Sequence, residues 1–187
     1  MRRFTLTELP LPGLVRVQRQ QLGDARGFLS RIFCDQELLA AGWRGAVAQV
    51  NHTLTRERGT VRGMHFQRQP HAEVKLVNCL QGEVLDVIVD LRPRSPTFLR
   101  WHAEHLSADN GCALLVPQGC GHGFQTLSED VHMLYLHSVA YHAAAEGGLR
   151  PTDARLAIAW PLPIAAMSER DQSHPLLTDA FEGIDIP

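Results

Sequence analysis

VLDVIVDL, residues 84–91, alternates side chains with a period of two: Leu85, Val87, Val89 and Leu91 fall on one face, Asp86 and Asp90 on the other. The pattern predicts a half-buried strand with both aspartates toward water. Comparable segments recur at 28–34, 47–54, 74–80, 113–116 and 131–139, separated by Gly, Pro, Asn and Asp. Strands spaced in this way predict a sandwich or barrel. Helical signals are confined to 35–42, stopped by Gly42, and a stretch near 163–171. The small, soft stretch 140–148 is expected to be a mobile loop. With 187 residues, the chain is expected to form one all-β domain over 1–187, a barrel with a few short helices.

Composition narrows the function classes. Net charge is -2, no run of five like charges occurs and the arginines are scattered, so no footprint for nucleic acid is visible. Thr5, Glu8, Arg16 and Arg19 interrupt any apolar stretch that a signal peptide or membrane span would need, which predicts a cytoplasmic protein with no membrane partner. Cys34, Cys79, Cys112 and Cys120 lack CxxC spacing and are expected to be reduced thiols, neither a disulfide framework nor a zinc site.

Lys75 is the sole lysine, beside seventeen arginines. An ammonium is a compact charge that fits behind one oxygen, which a flat guanidinium does not. A strand over 74–80 sends Lys75, Val77 and Cys79 to one side and Leu76, Asn78 and Leu80 to the other. Shortly before it stands RGMHFQ, residues 62–67, so His65 and Lys75 on neighbouring segments could flank one ligand. A hydrogen-bonded structural histidine and a lysine left by chance remain the alternatives. Tyr135 and Tyr141 are the only tyrosines, and Tyr135 shares a face with Met133 and His137. A core or rim role competes with catalysis there. SERD, residues 168–171, offers an acid to orient an imidazole, or a merely solvated tail.

Taken in order, RGMHFQ, Lys75-Leu76-Val77, VLDVIVDLRPRSPTF, LSADN, VPQGCGHGF, MLYLHSVAY, IAWPLP and MSERD resemble the nucleotide-sugar 4-keto-6-deoxyhexose epimerases typified by dTDP-4-dehydrorhamnose 3,5-epimerase. The likeness runs from about Gly23 to Asp171. It implies a cupin-type jelly roll, a homodimer sharing strands, no cofactor and no metal, with the C-terminal tail near the site. The substrate would be a nucleotide-diphosphate sugar, dTDP- or CDP-linked, inverted at C3, C5 or both beside a C4 ketone.

Such a reaction needs a base at the C–H bond while the enolate oxygen is stabilised. By resemblance His65 is the base, Asp171 orients it, Lys75 faces the C4 oxygen and Tyr135 returns a proton from the opposite face. Arg26, in DARGF, and Arg62 match phosphate-binding arginines, Arg26 reaching the nucleotide of a neighbouring subunit. Gln49, Asn51, His122, Tyr141 and Glu146 match further substrate-binding positions.

The chain departs from the family at several places. Ser30 stands where an acid is common, Leu136 where a lysine follows Tyr135, Pro151 where a tryptophan is frequent, and Arg170 where the tail has lysine. His137 adds a titratable group on the face of Tyr135, and is expected to enter the barrel and tune Tyr135 or the ketone side. Three other classes remain. A metal-dependent cupin oxygenase would have to use His65, His71, Glu73 and His122, without an HxH pair. A cupin ketoisomerase would move the carbonyl, and a non-catalytic sugar-nucleotide-binding cupin would exchange no proton.

Overall fold

The computed structural model describes residues 2–186. Along the chain the strands are β1 (Phe4–Glu8), β2 (Val15–Arg19), β3 (Gln21–Asp24), β4 (Gly27–Ser30), β5 (Gln49–Thr55), β6 (Val61–Gln67) and β7 (Lys75–Gln81). They continue as β8 (Glu83–Asp90), β9 (Trp101–Ser107), β10 (Cys112–Val116), β11 (Cys120–Thr126), β12 (Val131–His137) and β13 (Glu146–Gly148). One antiparallel sheet has the order β1-β2-β10-β7-β12-β5 and the other β13-β6-β11-β8-β9, while β3 and β4 form a separate hairpin. From β5 to β13 successive strands pass from one sheet to the other except at the β8–β9 pair, the topology of the expected jelly-roll barrel.

Three apolar layers hold the barrel. Between the sheets, Val77, Leu114, Met133 and Tyr135 from one side meet Val84, Ile88, Leu106 and Phe124 from the other. Outside the larger sheet, Leu76, Leu115 and Leu136 pack against Leu38 and Trp43. Outside the smaller sheet, Met64, Val87, Val89 and Leu91 are covered by Leu149, Leu156, Ile158, Leu177 and Ile184 of the C-terminal segment. Each central strand is therefore covered on both faces.

That arrangement corrects the reading of residues 84–91. The leucine and valine face of β8 lies against the C-terminal segment, and Val84, Asp86 and Ile88 point into the barrel. Asp86 and Asp90 are fully buried instead of solvated. Period-two alternation separates two faces, but it does not say which one meets water. Residues 140–148 are not a mobile loop either: Ala143–Ala145 forms a 3-10 turn, and β13 pairs with β6 through Glu146, Gly147 and Gly148. The predicted strand over 28–34 is shortened to β4.

Helix is sparse. Helix α1 (Asp35–Leu38) continues as a 3-10 turn and stops at Gly42, whose φ of 105° suits a residue without a Cβ. Helix α2 (Glu169–Ser173) begins later than the sequence predicts, at Ser168, whose side chain accepts from the Asp171 N–H. All four cysteines are free thiols. Among the described residues, no helix is long and apolar enough to cross a membrane.

The carboxylate of Asp90 ties the loop after β8 to the sheet. It accepts from Arg92 Nε and Nη2 at 2.8 Å, from Ser95 Oγ at 2.5 Å and from Thr97 Oγ1 at 2.6 Å. Burial pushes this carboxyl up, yet the Arg92, Ser95 and Thr97 donors hold it below the usual carboxylate range. Asp90→Ala is expected to destabilise the fold by about 2–4 kcal/mol, read from urea unfolding at neutral pH.

Candidate active site

A cavity of about 200 Å³ opens between the sheets at one end of the barrel. Its walls come from β5 (Gln49, Asn51, Thr53), β6 (Arg62, His65), β7 (Lys75), β11 (His122) and β12 (Tyr135, His137). Tyr141, Glu146 and Arg170 close the rim. The structure thus brings His65, Lys75, Tyr135, Arg62, Gln49, Asn51, His122, Tyr141 and Glu146 into one pocket, with Asp171 behind His65.

Arg26 is not among them. It sits on the β3–β4 turn, its side chain 90% exposed and paired with Asp24 at 2.5 Å. Arg26 therefore lies outside the pocket of its own chain, where the expected contact was with the nucleotide of a neighbouring subunit. The same hairpin exposes Phe28 at 63% and Leu29 at 72%.

His65 Nε2 lies 2.8 Å from Asp171 Oδ1, and Asp171 Oδ2 accepts from the Gly63 N–H at 3.2 Å. Antiparallel pairing of β6 with β11 sets His65 opposite His122, while α2 delivers Asp171 from 106 residues away. Burial pushes the Asp171 carboxyl up, but the His65 and Gly63 contacts outweigh it and hold it down at about 2. An ionised Asp171 fixes the proton on Nε2 and leaves Nδ1 as the nitrogen that can accept one. Among the described residues, Nδ1 makes no protein hydrogen bond.

Two more imidazole–carboxylate couples line the pocket. His122 Nε2 lies 2.8 Å from Asp86 Oδ1, and His137 Nδ1 lies 2.6 Å from Glu73 Oε2. Lys75 Nζ stands 3.3 Å from Glu73 Oε1. Between these couples Tyr135 is buried, its ring 6.0 Å from that of His122 and 6.3 Å from that of His137. Burial raises the Tyr135 hydroxyl well above its usual range, so it holds its proton as an acid should. The rim is cross-linked as well: Gln49 accepts from the Tyr141 N–H, and Glu146 accepts from Tyr141 Oη and Arg170.

Glu73 as a partner, Asp86 as an interior acid and His174 beside the dyad escaped the sequence reading. The ligand atoms of His65, Asp171 and His174 all lie within 4.8 Å of one another, a spacing compatible with a metal ion. Arg170 Nη2, however, stands 3.1 Å from His65 Nε2, a fixed positive charge beside that spot. The arrangement is better suited to moving protons next to a group that Lys75 and Arg62 can polarise or bind.

Comparison with known proteins gives a consistent picture. The dTDP-4-dehydrorhamnose 3,5-epimerase family pattern matches residues 8–179. A dTDP-4-dehydrorhamnose 3-epimerase of Streptomyces niveus is 38% identical over 183 residues, 97% of this chain and 88% of that one. A dTDP-4-dehydrorhamnose 3,5-epimerase of Bacillus anthracis, solved with TDP and PPi bound, superposes with a TM-score of 0.89 at 38% identity, over 93% of this chain and 99% of that one. An epimerase of Legionella pneumophila, solved with dTDP-4-keto-L-rhamnose, gives a TM-score of 0.91 at 32% identity, over 98% and 99% of the two chains.

The depressed Asp171 carboxyl has a measurable consequence. Its folded value near 2 lies below the unfolded value, so its stabilisation is present above about pH 4 and is lost as pH falls toward 2. Urea unfolding at pH 5 and pH 2.5 should show an acid-dependent loss that is smaller in Asp171→Asn by about 2 kcal/mol.

Proposed function

The chain belongs to the dTDP-4-dehydrorhamnose 3,5-epimerase family, and on that premise we propose roles for the residues that line its pocket. The protein is an isomerase, epimerising a dTDP-linked 4-keto-6-deoxyhexose at C3, C5 or both. His65 Nδ1 takes the proton from the carbon beside the ketone, and Asp171 holds the ring in the tautomer that permits it. The ammonium of Lys75 faces the C4 oxygen, where negative charge develops as the C–H bond breaks. Tyr135, kept protonated by burial, returns a proton to the opposite face of the ring. Arg62 receives the diphosphate, and Gln49, Asn51, His122, Tyr141 and Glu146 shape the sugar site.

The observation that carries this reading is the joint placement of an oriented base, a buried acid and a cation in one cavity. A cupin oxygenase set of His65, His71, Glu73 and His122 is disfavoured, because Glu73 and His122 are already committed to His137 and Asp86. The cavity of about 200 Å³ is smaller than the roughly 300–1,000 Å³ that encloses a whole ligand, so one chain surrounds only part of a nucleotide sugar. A homodimer completes it. The exposed Phe28 and Leu29 of the hairpin are the surface that a second copy would cover, and Arg26 beside them would reach that copy's nucleotide.

Incubation with dTDP-4-keto-6-deoxyglucose in deuterated water should place deuterium at C3, C5 or both, followed by NMR. Carbonyl migration would instead indicate a ketoisomerase, and binding without exchange a sensor. His65→Asn should lower kcat by about 10²- to 10⁴-fold, whereas Arg62→Ala should act mainly on KM. Lys75→Arg should keep nucleotide binding and cripple turnover. In sedimentation, a double change of Phe28 and Leu29 to serine should yield monomers, with a raised KM, whereas Arg26→Ala should raise KM without dissociation.

A further inference from the structure

His137 sits in a chain of hydrogen bonds whose direction is fixed at both ends. At the rim the backbone N–H of Tyr141, which can only donate, lies 2.9 Å from Gln49 Oε1. With its carbonyl taken, the Gln49 amide turns Nε2 to Asn51 Oδ1 at 3.0 Å. Asn51 then faces His137 with its amino group, Nδ2 standing 3.4 Å from Nε2 of the ring. At the other end the carboxylate of Glu73 lies 2.6 Å from His137 Nδ1 and 3.3 Å from Lys75 Nζ. Burial pushes Glu73 up, but the His137 and Lys75 contacts hold its carboxyl below the usual range, so it is an anion and can only accept. A donor arriving at Nε2 and an acceptor at Nδ1 describe a neutral ring with its one proton on Nδ1. A second proton, on Nε2, would meet the Asn51 amino group donor to donor.

The backbone holds the ring where this link requires it. His137 pairs with Gln49 on β5 and with Lys75 on β7, and its carbonyl accepts from the Ala48 N–H at 2.8 Å. The next residue is tied down as well: Ser138 N–H donates to the Val74 carbonyl, and Ser138 Oγ accepts from the Val74 N–H. We propose that His137, as a neutral ring, is a positioning residue for the epimerase reaction: it fixes the orientation of the Gln49 and Asn51 amides and steadies Glu73 beside Lys75. The role rests on the proposed assignment of Lys75 to the C4 oxygen.

Two consequences follow from the direction of the chain. Gln49 and Asn51 each spend the carbonyl and one N–H on it, and the second N–H of each is free for an acceptor oxygen of the substrate. Meanwhile a carboxylate gripped by Nδ1 keeps the ammonium of Lys75 in one place for the enolate oxygen. Loss of the ring releases both ends. The amides turn over, which weakens binding, and Glu73 shifts with Lys75, which slows the chemistry.

The test joins nitrogen NMR of the histidine side chains to kcat and KM on dTDP-4-keto-6-deoxyglucose, for the wild type, His137→Gln, His137→Leu and Asn51→Asp. At pH 8 the wild-type ring, assigned by its absence from the His137→Gln spectrum, should carry one proton, on Nδ1. Asn51→Asp keeps the acceptor for Gln49 but removes the donor to His137, so the ring should gain a second proton on Nε2. The amide in His137→Gln can accept from Asn51 and donate to Glu73, and kcat and KM should stay within about threefold of the wild type. Leucine can do neither, and His137→Leu should lower kcat by about 10- to 100-fold and raise KM by about three- to tenfold. A packing role predicts instead that leucine serves at least as well as glutamine. The proposal is overturned by a wild-type ring with its proton on Nε2 or on both nitrogens, by an Asn51→Asp ring that is unchanged, or by His137→Leu as active as His137→Gln. Should circular dichroism show that His137→Leu is unfolded, the wild-type and Asn51→Asp spectra still decide. The spectra need no turnover, so a wild type without activity would refute the epimerase reading separately, and Lys75→Arg at full rate would remove the lysine assignment.

Discussion

An ionised side chain that enters the apolar space between two sheets loses its hydration, and only a counter-charge or a full set of hydrogen bonds offsets that loss. The interior of this barrel obeys the constraint three times. His65 comes with Asp171, His122 with Asp86 and His137 with Glu73, at separations of 2.6–2.8 Å. The acids come from different places: the C-terminal helix, the adjacent strand and the segment leading into β7. Since each carboxylate also fixes the tautomer of its ring, dryness does more than stabilise charge. It decides which imidazole nitrogen faces the ligand.

The layers around the barrel follow from the same economy of water. Sheets built for a ligand cavity have apolar outer faces as well, and Val87, Val89 and Leu91 would lie bare without the segment from Leu149 onward. That segment has little regular structure, yet it covers the smaller sheet and on the way inserts Asp171 at the pocket. Covering the sheet and completing the site are the work of one stretch of chain.

Much of this was legible in the residues, and the gaps have physical causes. Strands rich in alternating Val, Leu and Ile, such as β8 and β12, announce themselves. WHAEHLS in β9 and CGHGFQT in β11 do not, because their polar and glycine residues are recruited by strand pairing, β9 along β8 and β11 between β6 and β8. The face of β8 was misread because a two-residue period is blind to which layer covers it. His65, Lys75, Tyr135 and Asp171 were found through ordered motifs. The acids Glu73 and Asp86, which hold the other two imidazoles of the pocket, were not, since His137–Glu73 spans 64 residues and His122–Asp86 spans 36, and no local spacing encodes either contact. Arg26 was found by motif, yet lies outside the pocket of its own chain.

Ser168 caps α2 by accepting the N–H of Asp171, the residue whose carboxylate holds His65. Helix onset and base orientation thus share a single amino acid, late in the chain. During synthesis the barrel strands emerge first, and their pocket contains an imidazole without its acid until residue 171 has left the ribosome and the helix has closed. A copy interrupted before that point would carry the strand walls of the cavity and still lack an oriented base. Loss of the chain from Asp171 onward would therefore remove the acid that orients His65, whereas a cut beyond it would leave the pair intact.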